Sequence, residues 1–410
     1  MREAGFAQRW KEVAASFGRL GFTAYGGPAI MGIMQAELQE RRQWVTKGRF
    51  VEGLSLVNLI PGATATQLAI FLGYARGGWW GGLLAGVCFV LPGFGIMLAL
   101  TTAYAALGAT PLIRGALYGL GPVVLGIYLV AIYRLGRAAV STMPQTLFAI
   151  LAAAAVIWSP LGIAAILLLA GGLGVLLFHS RSLGAIILLV IIAGLSILRY
   201  VFHPTIIPAM APSSDMPHPA SLAEIATFLF KVGAFTFGGG LTMIAFIQDQ
   251  VVRQFHWLTP QEFLDGLALG QFTPGPILMV AAYVGYKVAG LMGAVVGATA
   301  AFVPSFILML AILPAFERVR KLVWTKAAMQ GIGPAVIGVL AVSLFQLAPH
   351  ALPDGFAVAV LGTTVAALVL WRVGTVRLMV AGAVLGIVRS RLSSLQTLKA
   401  ALSGSLGLRI

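Results

Sequence analysis

The chain has 410 residues, of which 59% are hydrophobic and only 10% are charged, and its mean hydropathy is +0.96. Soluble domains carry about 25% charged residues, so this composition excludes a water-soluble globular protein. The net charge is +15, but Lys and Arg lie mostly at the ends of apolar runs, where they indicate membrane topology rather than a nucleic-acid partner.

Apolar runs of about 20 residues, the length that crosses ~30 Å of hydrocarbon, follow one another along the chain. Such spans must be helical, because isolated strands would leave backbone groups unsatisfied in lipid. The predicted fold is therefore an all-α polytopic membrane protein that is surrounded by lipid. The predicted spans are 13–36, 51–75, 79–105, 113–133, 146–160, 162–178 and 183–203, then 222–247, 264–286, 290–313, 328–347, 353–371 and 376–388.

The second group of spans repeats the first. The stretch Gly21 to Pro28 returns as Gly233 to Gly240, and later Gly, Pro and Trp positions match in the same order. We interpret the chain as two homologous helical repeats, 1–203 and 221–410, joined by a linker at 204–220. The odd number of spans in the first repeat predicts that the second is inverted, which is typical of alternating-access transporters.

Each repeat begins with a glycine-rich break inside an apolar helix. The breaks are Gly26-Gly27-Pro28 and Gly238-Gly239-Gly240. Adjacent glycines cost roughly 1 kcal/mol each in a helix interior, and proline costs more. The pattern predicts two half-helices whose free N–H groups and positive dipole ends form an anion site at membrane depth. Close helix packing through glycine is the alternative reading.

A second break in each repeat combines a Pro-Gly turn with uncharged polar side chains. Polar groups inside a span are expensive unless they face a cavity, a partner or a substrate. We therefore predict that these residues bind an oxyanion, with hydrogen bonding between helices as the alternative. They are Asn58, Pro61, Gly62, Thr64 and Gln67 in the first repeat and Gln271, Thr273, Pro274 and Gly275 in the second, with Gln67 further along the pathway.

Charged residues supply the remaining site candidates. Arg19 and Lys231 occupy equivalent positions before the glycine breaks, so each either meets the anion or anchors its helix at the interface. Glu37 and Arg41 form an i, i+4 pair that, with Arg42, marks either a basic mouth or a solvated interfacial helix. With the N-terminus in the cytoplasm, the basic residues between 41 and 49 fall on the wrong side, unless their segment enters the membrane and returns.

The sequence does not contain the residue patterns that several other classes of function require. Cys88 is the only cysteine, and the five histidines are scattered without ligand spacing, so we predict neither a metal nor a cofactor. No phosphate-binding loop indicates ATP coupling. The spans show no carboxylate or histidine cluster of the kind that a membrane-embedded enzyme would need, so we predict that the protein is not an enzyme.

These motifs resemble the chromate ion transporter family in its long, two-unit form. The resemblance covers nearly the whole chain and includes Tyr25 to Pro28, the Glu-x-x-Glu-Arg-Arg-x-Trp run from Glu37 to Trp44, and the run from Leu264 to Pro276. The chain departs from the family pattern at Asn58, Ala63 and Leu241, which bears on the substrate.

The resemblance implies a secondary transporter in a bacterial cytoplasmic (inner) membrane. It would export chromate, driven by the membrane potential or a proton gradient, and so confer chromate resistance. Sulfate or another oxyanion as the cargo, an anion channel, and assembly as a homodimer are alternatives that the sequence leaves open.

Overall fold

The computed structural model describes residues 2–25, 29–107, 110–159, 161–202, 220–237, 240–315 and 323–406, and within these ranges the regular structure is entirely helical. Four helical segments are long and apolar enough to cross a membrane: Thr64–Leu107, Pro111–Ala139, Ile277–Ala315 and Trp324–Ala351. The predicted all-α membrane fold is confirmed. Of the predicted linker at 204–220, only Ala220 falls within the described residues.

The helices occur in the same order in both repeats. The first repeat has α1 (Arg2–Thr23), α2 (Ala29–Met34) with a π-helical continuation (Gln35–Arg41), α3 (Lys47–Leu59), α4 (Thr64–Leu107), α5 (Pro111–Ala139), α6 (Met143–Trp158), α7 (Ile163–Phe178) and α8 (Arg181–Phe202). The second has α9 (Leu222–Ala234), α10 (Thr242–Ile247) with a π-helical continuation (Gln248–Gln254), α11 (Pro260–Phe272), a 3-10 turn (Ile277–Met279), α12 (Val280–Ile312), α13 (Val323–Ala351), α14 (Gly355–Val369) and α15 (Thr375–Leu406).

The first two helices form a hairpin instead of a single span. The indole N–H of Trp44, just after α2, donates to the Glu12 carboxylate on α1 at 3.1 Å. Arg76, near the end of the first arm of α4, donates to the same carboxylate at 2.9 Å. The start of α1 and the chain after α2 therefore lie at one level, which we call the first side.

The next two helical segments form a second hairpin from the same side. Gly53 on α3 packs against the ring of Phe71 on α4, and the chain turns between them at Pro61-Gly62. α3 has 13 residues, about 20 Å at 1.5 Å per residue, so it reaches about two thirds of the way through ~30 Å of hydrocarbon. The second repeat has the matching hairpin, in which Gly266 packs against Tyr283.

A glycine turn ends each hairpin and begins the helix that crosses the membrane. α4 breaks at Gly77 and Gly78, where Gly78 has φ +64°, and α12 breaks at the equivalent Ala289 and Gly290, where Gly290 has φ +60°. L-residues with side chains are unfavourable in this region, so glycine is needed at both turns. The two arms then pack closely enough for Gly285 to contact Gly293.

The helices after these hairpins exchange partners between repeats. α5 packs against α14 and α15 of the second repeat, whereas α13 packs against α6 and α7 of the first. The backbone approach is close because glycines face each other, as at Gly119 and Gly382 on α5 and α15. The two repeats therefore share one interior and are not separate bundles.

Equivalent helices of the two repeats run antiparallel. On α4 and α12, Gly82 faces Leu310 and Gly86 faces Phe306. The same reversal relates α5 to α13, where Gly121 faces Ala351 and Gly136 faces Ile337. A two-fold axis along the membrane normal would leave equivalent helices parallel, so this crossing is the geometry of an inverted repeat.

The hairpins correct the predicted spans. The runs 13–36, 51–75, 222–247 and 264–286 each fold back on the side from which they enter, because the chain breaks at the middle of each. When the shorter apolar helices α6, α7 and α8 are counted with α4 and α5, the described part of the first repeat has five crossing segments instead of seven. This number is still odd and keeps the second repeat inverted. The second repeat enters from the opposite level, the second side, which carries the Lys287–Glu262 ion pair of 2.8 Å.

The hairpins also resolve the exception to the positive-inside rule. The basic residues between 41 and 49 return to the first side, as the re-entrant alternative predicts. Described basic residues at that side are Lys11, Arg41, Arg42, Lys47, Arg49, Arg76, Arg134, Arg137, Arg181, Lys326, Arg372 and Arg377, against Arg114, Arg253, Lys287, Arg389 and Arg391 at the second side. This excess indicates that the first side faces the cytoplasm.

Candidate functional site

The chain breaks of the two repeats meet at the centre of the molecule. The backbone N–H of Gly62 donates to the Thr236 carbonyl at 2.6 Å, and the N–H of Gly275 donates to the Ala24 carbonyl at 2.8 Å. Gly62 and Gly275 are repeat equivalents, and so are Thr236 and Ala24. Each Pro-Gly tip is therefore tied to the end of the opening helix in the other repeat.

A small cavity lies beside these tips. Both repeats line it, and none of its lining residues is charged: Ile30, Ala63, Thr64, Ala65, Gly240, Pro276, Ile277 and Leu278. The residues come from all four breaks. A site built this way offers backbone groups and one hydroxyl instead of formal charges.

Two helix N-termini open into this cavity without side-chain caps. The first backbone N–H groups of a helix have no partner within it, and α4 begins at Thr64 after Ala63, whose side chain cannot accept a hydrogen bond. The turn at Ile277 follows Pro276, which also provides no cap. By contrast, Thr46 and Thr259 cap α3 and α11 at the two surfaces. Uncapped donors thus occur at the centre of the molecule, whereas the helix N-termini at the surfaces are capped.

Several contacts hold the first tip in this position. Gly62 has φ +131°, and the Gln67 side-chain amide donates to the Pro61 carbonyl at 2.7 Å. Ser305 accepts from the Ala63 N–H at 2.9 Å. Proline stands at the equivalent position 276 and has no N–H, so Ser305 satisfies the extra donor that Ala63 brings to this tip.

The predicted polar residues of the Pro-Gly breaks divide between the cavity and the packing. Thr64 lines the cavity. Thr273 donates to the Leu269 carbonyl at 2.9 Å, and Gln271 donates to the Tyr128 hydroxyl at 3.0 Å. Thr273 and Gln271 therefore form hydrogen bonds within the helical bundle, and anion binding by them stays a prediction.

The predicted charged residues lie away from the cavity. Arg19 and Lys231 are both exposed and neither is among its lining residues. Glu37 pairs with Arg41 at 3.0 Å and with Arg42 at 2.8 Å, at the outer end of the first hairpin. The predictions for Gly26, Gly27, Pro28, Gly238 and Gly239 concern positions outside the described residues.

The two sides of the molecule differ in access to the centre. On α3, Val51 is 52% exposed, and Ser55 and Asn58 are exposed too. Their equivalents on α11 are packed against the bundle: Leu264 and Ala268 are each 1% exposed, and Gln271 is half-buried. This face of α3 is therefore exposed, whereas the equivalent face of α11 is packed against the bundle. We call α3 with the first arm of α4 the open hairpin, and α11 with the first arm of α12 the sealed hairpin.

Sequence reasoning missed a polar group in the sealed hairpin. Asp265 on α11 is buried and accepts a hydrogen bond from the Tyr104 hydroxyl on α4 at 2.9 Å. Glu262 and Lys287 pair nearby at 2.8 Å. The signal was present, since Asp265 is an acidic residue within an apolar run, but these partners lie far apart in sequence. Within the described residues, no group of acidic, His or Cys side chains could hold a metal ion.

Comparison with known proteins gives a consistent result. A family model described as "Chromate transporter" matches residues 11–176 and 223–387. A chromate transport protein of Cupriavidus metallidurans is 35% identical over 383 residues, which are 92% of each chain. A probable chromate transport protein of Synechococcus elongatus is 32% identical over 354 residues, 84% of this chain and 86% of the relative. No solved structure matches this chain.

Proposed function

The chain belongs to the chromate transporter family and is a membrane transporter rather than an enzyme; from this premise we propose that it exports chromate through the central cavity. The similar proteins of Cupriavidus metallidurans and Synechococcus elongatus carry chromate transport in their names. The proposed location is a bacterial cytoplasmic membrane, where export would confer chromate resistance.

The observation that carries this proposal is the pair of uncapped helix N-termini at the cavity. Each supplies free N–H donors and a positive dipole end, and the two come from inverted repeats, so they approach the cargo from different helices. Hydrogen bonds from neutral donors suit a tetrahedral dianion, which must be bound and then released. A lysine or arginine in the cavity would hold such an anion more tightly.

The membrane potential supports outward movement. Moving one charge across 100 mV is worth roughly 2.3 kcal/mol, so export of a dianion from a negative-inside cell is favoured by twice that amount. The first side carries the excess of basic residues and has the open hairpin. In this conformation the cavity would therefore load chromate from the cytoplasm, and sealing α3 while opening α11 would release it outside.

Uptake into inside-out vesicles tests the proposal. Vesicles with this protein should accumulate labelled chromate in a saturable manner when an interior-positive potential is imposed, and vesicles without it should not. Unlabelled sulfate in excess distinguishes the cargo: strong competition would support a general oxyanion transporter. Uptake that stays linear with chromate concentration would instead support an anion channel, and no uptake above the control would refute the proposal.

A further inference from the structure

Asp265 is the only acidic or basic residue that is buried among the described residues, with 6% exposure. Its two hydrogen-bond donors are neutral. The Tyr104 hydroxyl donates at 2.9 Å and the Gln261 side-chain amide donates at 3.1 Å. Asp265 belongs to the sealed hairpin, and Tyr104 belongs to the crossing helix of the other repeat. The hydrogen bond between Asp265 and Tyr104 therefore joins the sealed hairpin to α4, and these are the two parts that would separate if the second side opened.

The charged residues near Asp265 form an ion pair with each other and not with Asp265. Lys287 on α12 pairs with Glu262 at 2.8 Å and lies 5.8 Å from the centre of the Tyr104 ring. The Tyr283 hydroxyl donates to the Glu262 backbone carbonyl at 2.8 Å. From α5, α13 and α15, which also pack on α11, no described charged residue forms a hydrogen bond or ion pair with Asp265.

The equivalent residue of the first repeat has a different environment. Glu52 matches Asp265 in the repeat, and its side chain is 33% exposed and pairs with Arg49 at 3.1 Å. The position of Arg49 is occupied in the second repeat by Glu262. Glu52 on the open hairpin therefore has a basic partner, Arg49, one helical turn away. Asp265 on the sealed hairpin has an acidic residue, Glu262, at the same distance.

Burial of an ionised carboxylate without a paired cation is costly, and such groups are neutralised by a proton instead. We propose that Asp265 binds one proton when the second side seals and releases it when that side opens, so that it is a proton-dependent latch of the outer gate. This inference rests on the proposed transport function. The reaction balances as carboxylate plus one proton giving the carboxylic acid, and the proton enters and leaves on the second side.

The latch predicts a pH-dependent conformational equilibrium. Because one proton is taken up on sealing, the ratio of open to sealed second side should rise about tenfold per pH unit once the open-state carboxylate is ionised and while the sealed form remains protonated. Acid on the second side favours the sealed state that the structure shows. Alkaline conditions favour opening.

Two matched cysteine reporters measure this equilibrium. In a Cys88→Ala background, Ala268→Cys places a thiol on the sealed hairpin, and Ser55→Cys places one at the equivalent position of the open hairpin. Maleimide labelling of purified protein across a pH series gives the ratio of the two reactivities, which removes the pH dependence of the thiol chemistry. The ratio for Ala268→Cys over Ser55→Cys should rise with pH.

Three variants then test the role of Asp265. Asp265→Asn, which mimics the protonated form, should give a low ratio that no longer changes with pH. Glu52→Gln, the repeat-matched control, should keep the wild-type slope. Tyr104→Phe removes a contact of the sealed state and should raise labelling of Ala268→Cys at every pH.

A wild-type ratio that does not change with pH, or an unchanged slope in Asp265→Asn, would overturn the latch. If Asp265→Asn cannot be purified, Tyr104→Phe still tests the latch. Labelling of Ala268→Cys equal to that in the protein with Tyr104 would contradict a latch at the contact between Tyr104 and Asp265. The assay needs no cargo. A failure of chromate uptake with a normal labelling response would thus count against the proposed function and not against the latch.

Discussion

The uncapped N-terminus of α4 gives a direct test of backbone binding to the anion. Thr64→Pro removes one of its free N–H groups together with the hydroxyl, whereas Thr64→Val removes only the hydroxyl. Proline is tolerated at the first position of a helix because the missing N–H has no partner there and the fixed φ suits the turn. Ala63, which precedes it, lies outside the helix, as a residue before proline should.

The expected effect follows from the loss of one hydrogen bond to a charged group, which is worth about 1.5–3 kcal/mol. At 1.4 kcal/mol per factor of ten, the KM for chromate should rise roughly 10- to 100-fold in Thr64→Pro. Thr64→Val removes the hydroxyl alone, so the roughly 10- to 100-fold rise that is due to the backbone N–H should appear as the ratio of the KM of Thr64→Pro to the KM of Thr64→Val. The difference between the two variants isolates the backbone group.

The assay is chromate uptake into inside-out vesicles, normalised to the amount of inserted protein. Lys47→Pro is the control, since it places proline at the first position of α3, which is capped by Thr46 and lies at the surface, and since Pro260 occupies the equivalent position in the second repeat. Its KM should stay near that of wild type. Equal KM values for Thr64→Pro and Thr64→Val would refute anion binding by this N-terminus.

Three further variants probe other parts of the molecule. Gly62→Ala should abolish transport, because a methyl group at φ +131° would lie 2.6 Å from the Ser305 hydroxyl, whereas Gly48→Ala, with open space around it, should transport normally. Arg19 and Lys231 do not line the cavity, so Arg19→Gln and Lys231→Gln should weaken chromate transport at unchanged protein level only through the loss of a charge that attracts the anion; normal chromate tolerance in both would mean that these residues only anchor their helices. Asp354 caps α14 through the Ala357 N–H at 2.9 Å, and this bond, with the Tyr118 hydroxyl and Arg389, holds the pKa of its carboxyl below the ordinary value of 3.8. Its stabilising effect is therefore present above that value and is lost as the pH falls below it. Asp354→Ala should cost about 1 kcal/mol, which would appear as a lower thermal midpoint in detergent near neutral pH, with transport per molecule unchanged.

The positions of chain breaks could be predicted from local sequence. Proline and glycine disfavour a helix interior, so Pro61-Gly62 and Pro274-Gly275 indicated interruptions without knowledge of the fold. The consequence of the breaks could not be predicted. A hydropathy pattern records how apolar a segment is but not whether the chain passes on or turns back, so four hairpins were interpreted as crossing spans.

The roles of polar residues were harder to predict, because they depend on distant partners. Gln271 was predicted to bind an anion, which stays a prediction, and its hydrogen bond to Tyr128, 143 positions away, was not predicted. Asp265 was not predicted as a functional residue, although it is a buried carboxylate that accepts a hydrogen bond from the Tyr104 hydroxyl. Neither contact has a local signature, since both arise where helices of different repeats cross.

Composition, hydrophobic run length and internal repetition were sufficient to determine a helical membrane protein of two homologous units, because these properties depend on the solvent and on matches within the chain. The inversion of the second unit was predicted from a span count that the structure corrects, and the antiparallel contacts between equivalent helices are what support it. The tertiary structure decided which donors remain free. Gly62 and Gly275 stand at the breaks, but their N–H groups are used between repeats, while the donors at Thr64 and Ile277 are left open to the cavity. That distinction depends on which carbonyl or hydroxyl lies within 3 Å, and only the packing of one repeat against the other sets those distances.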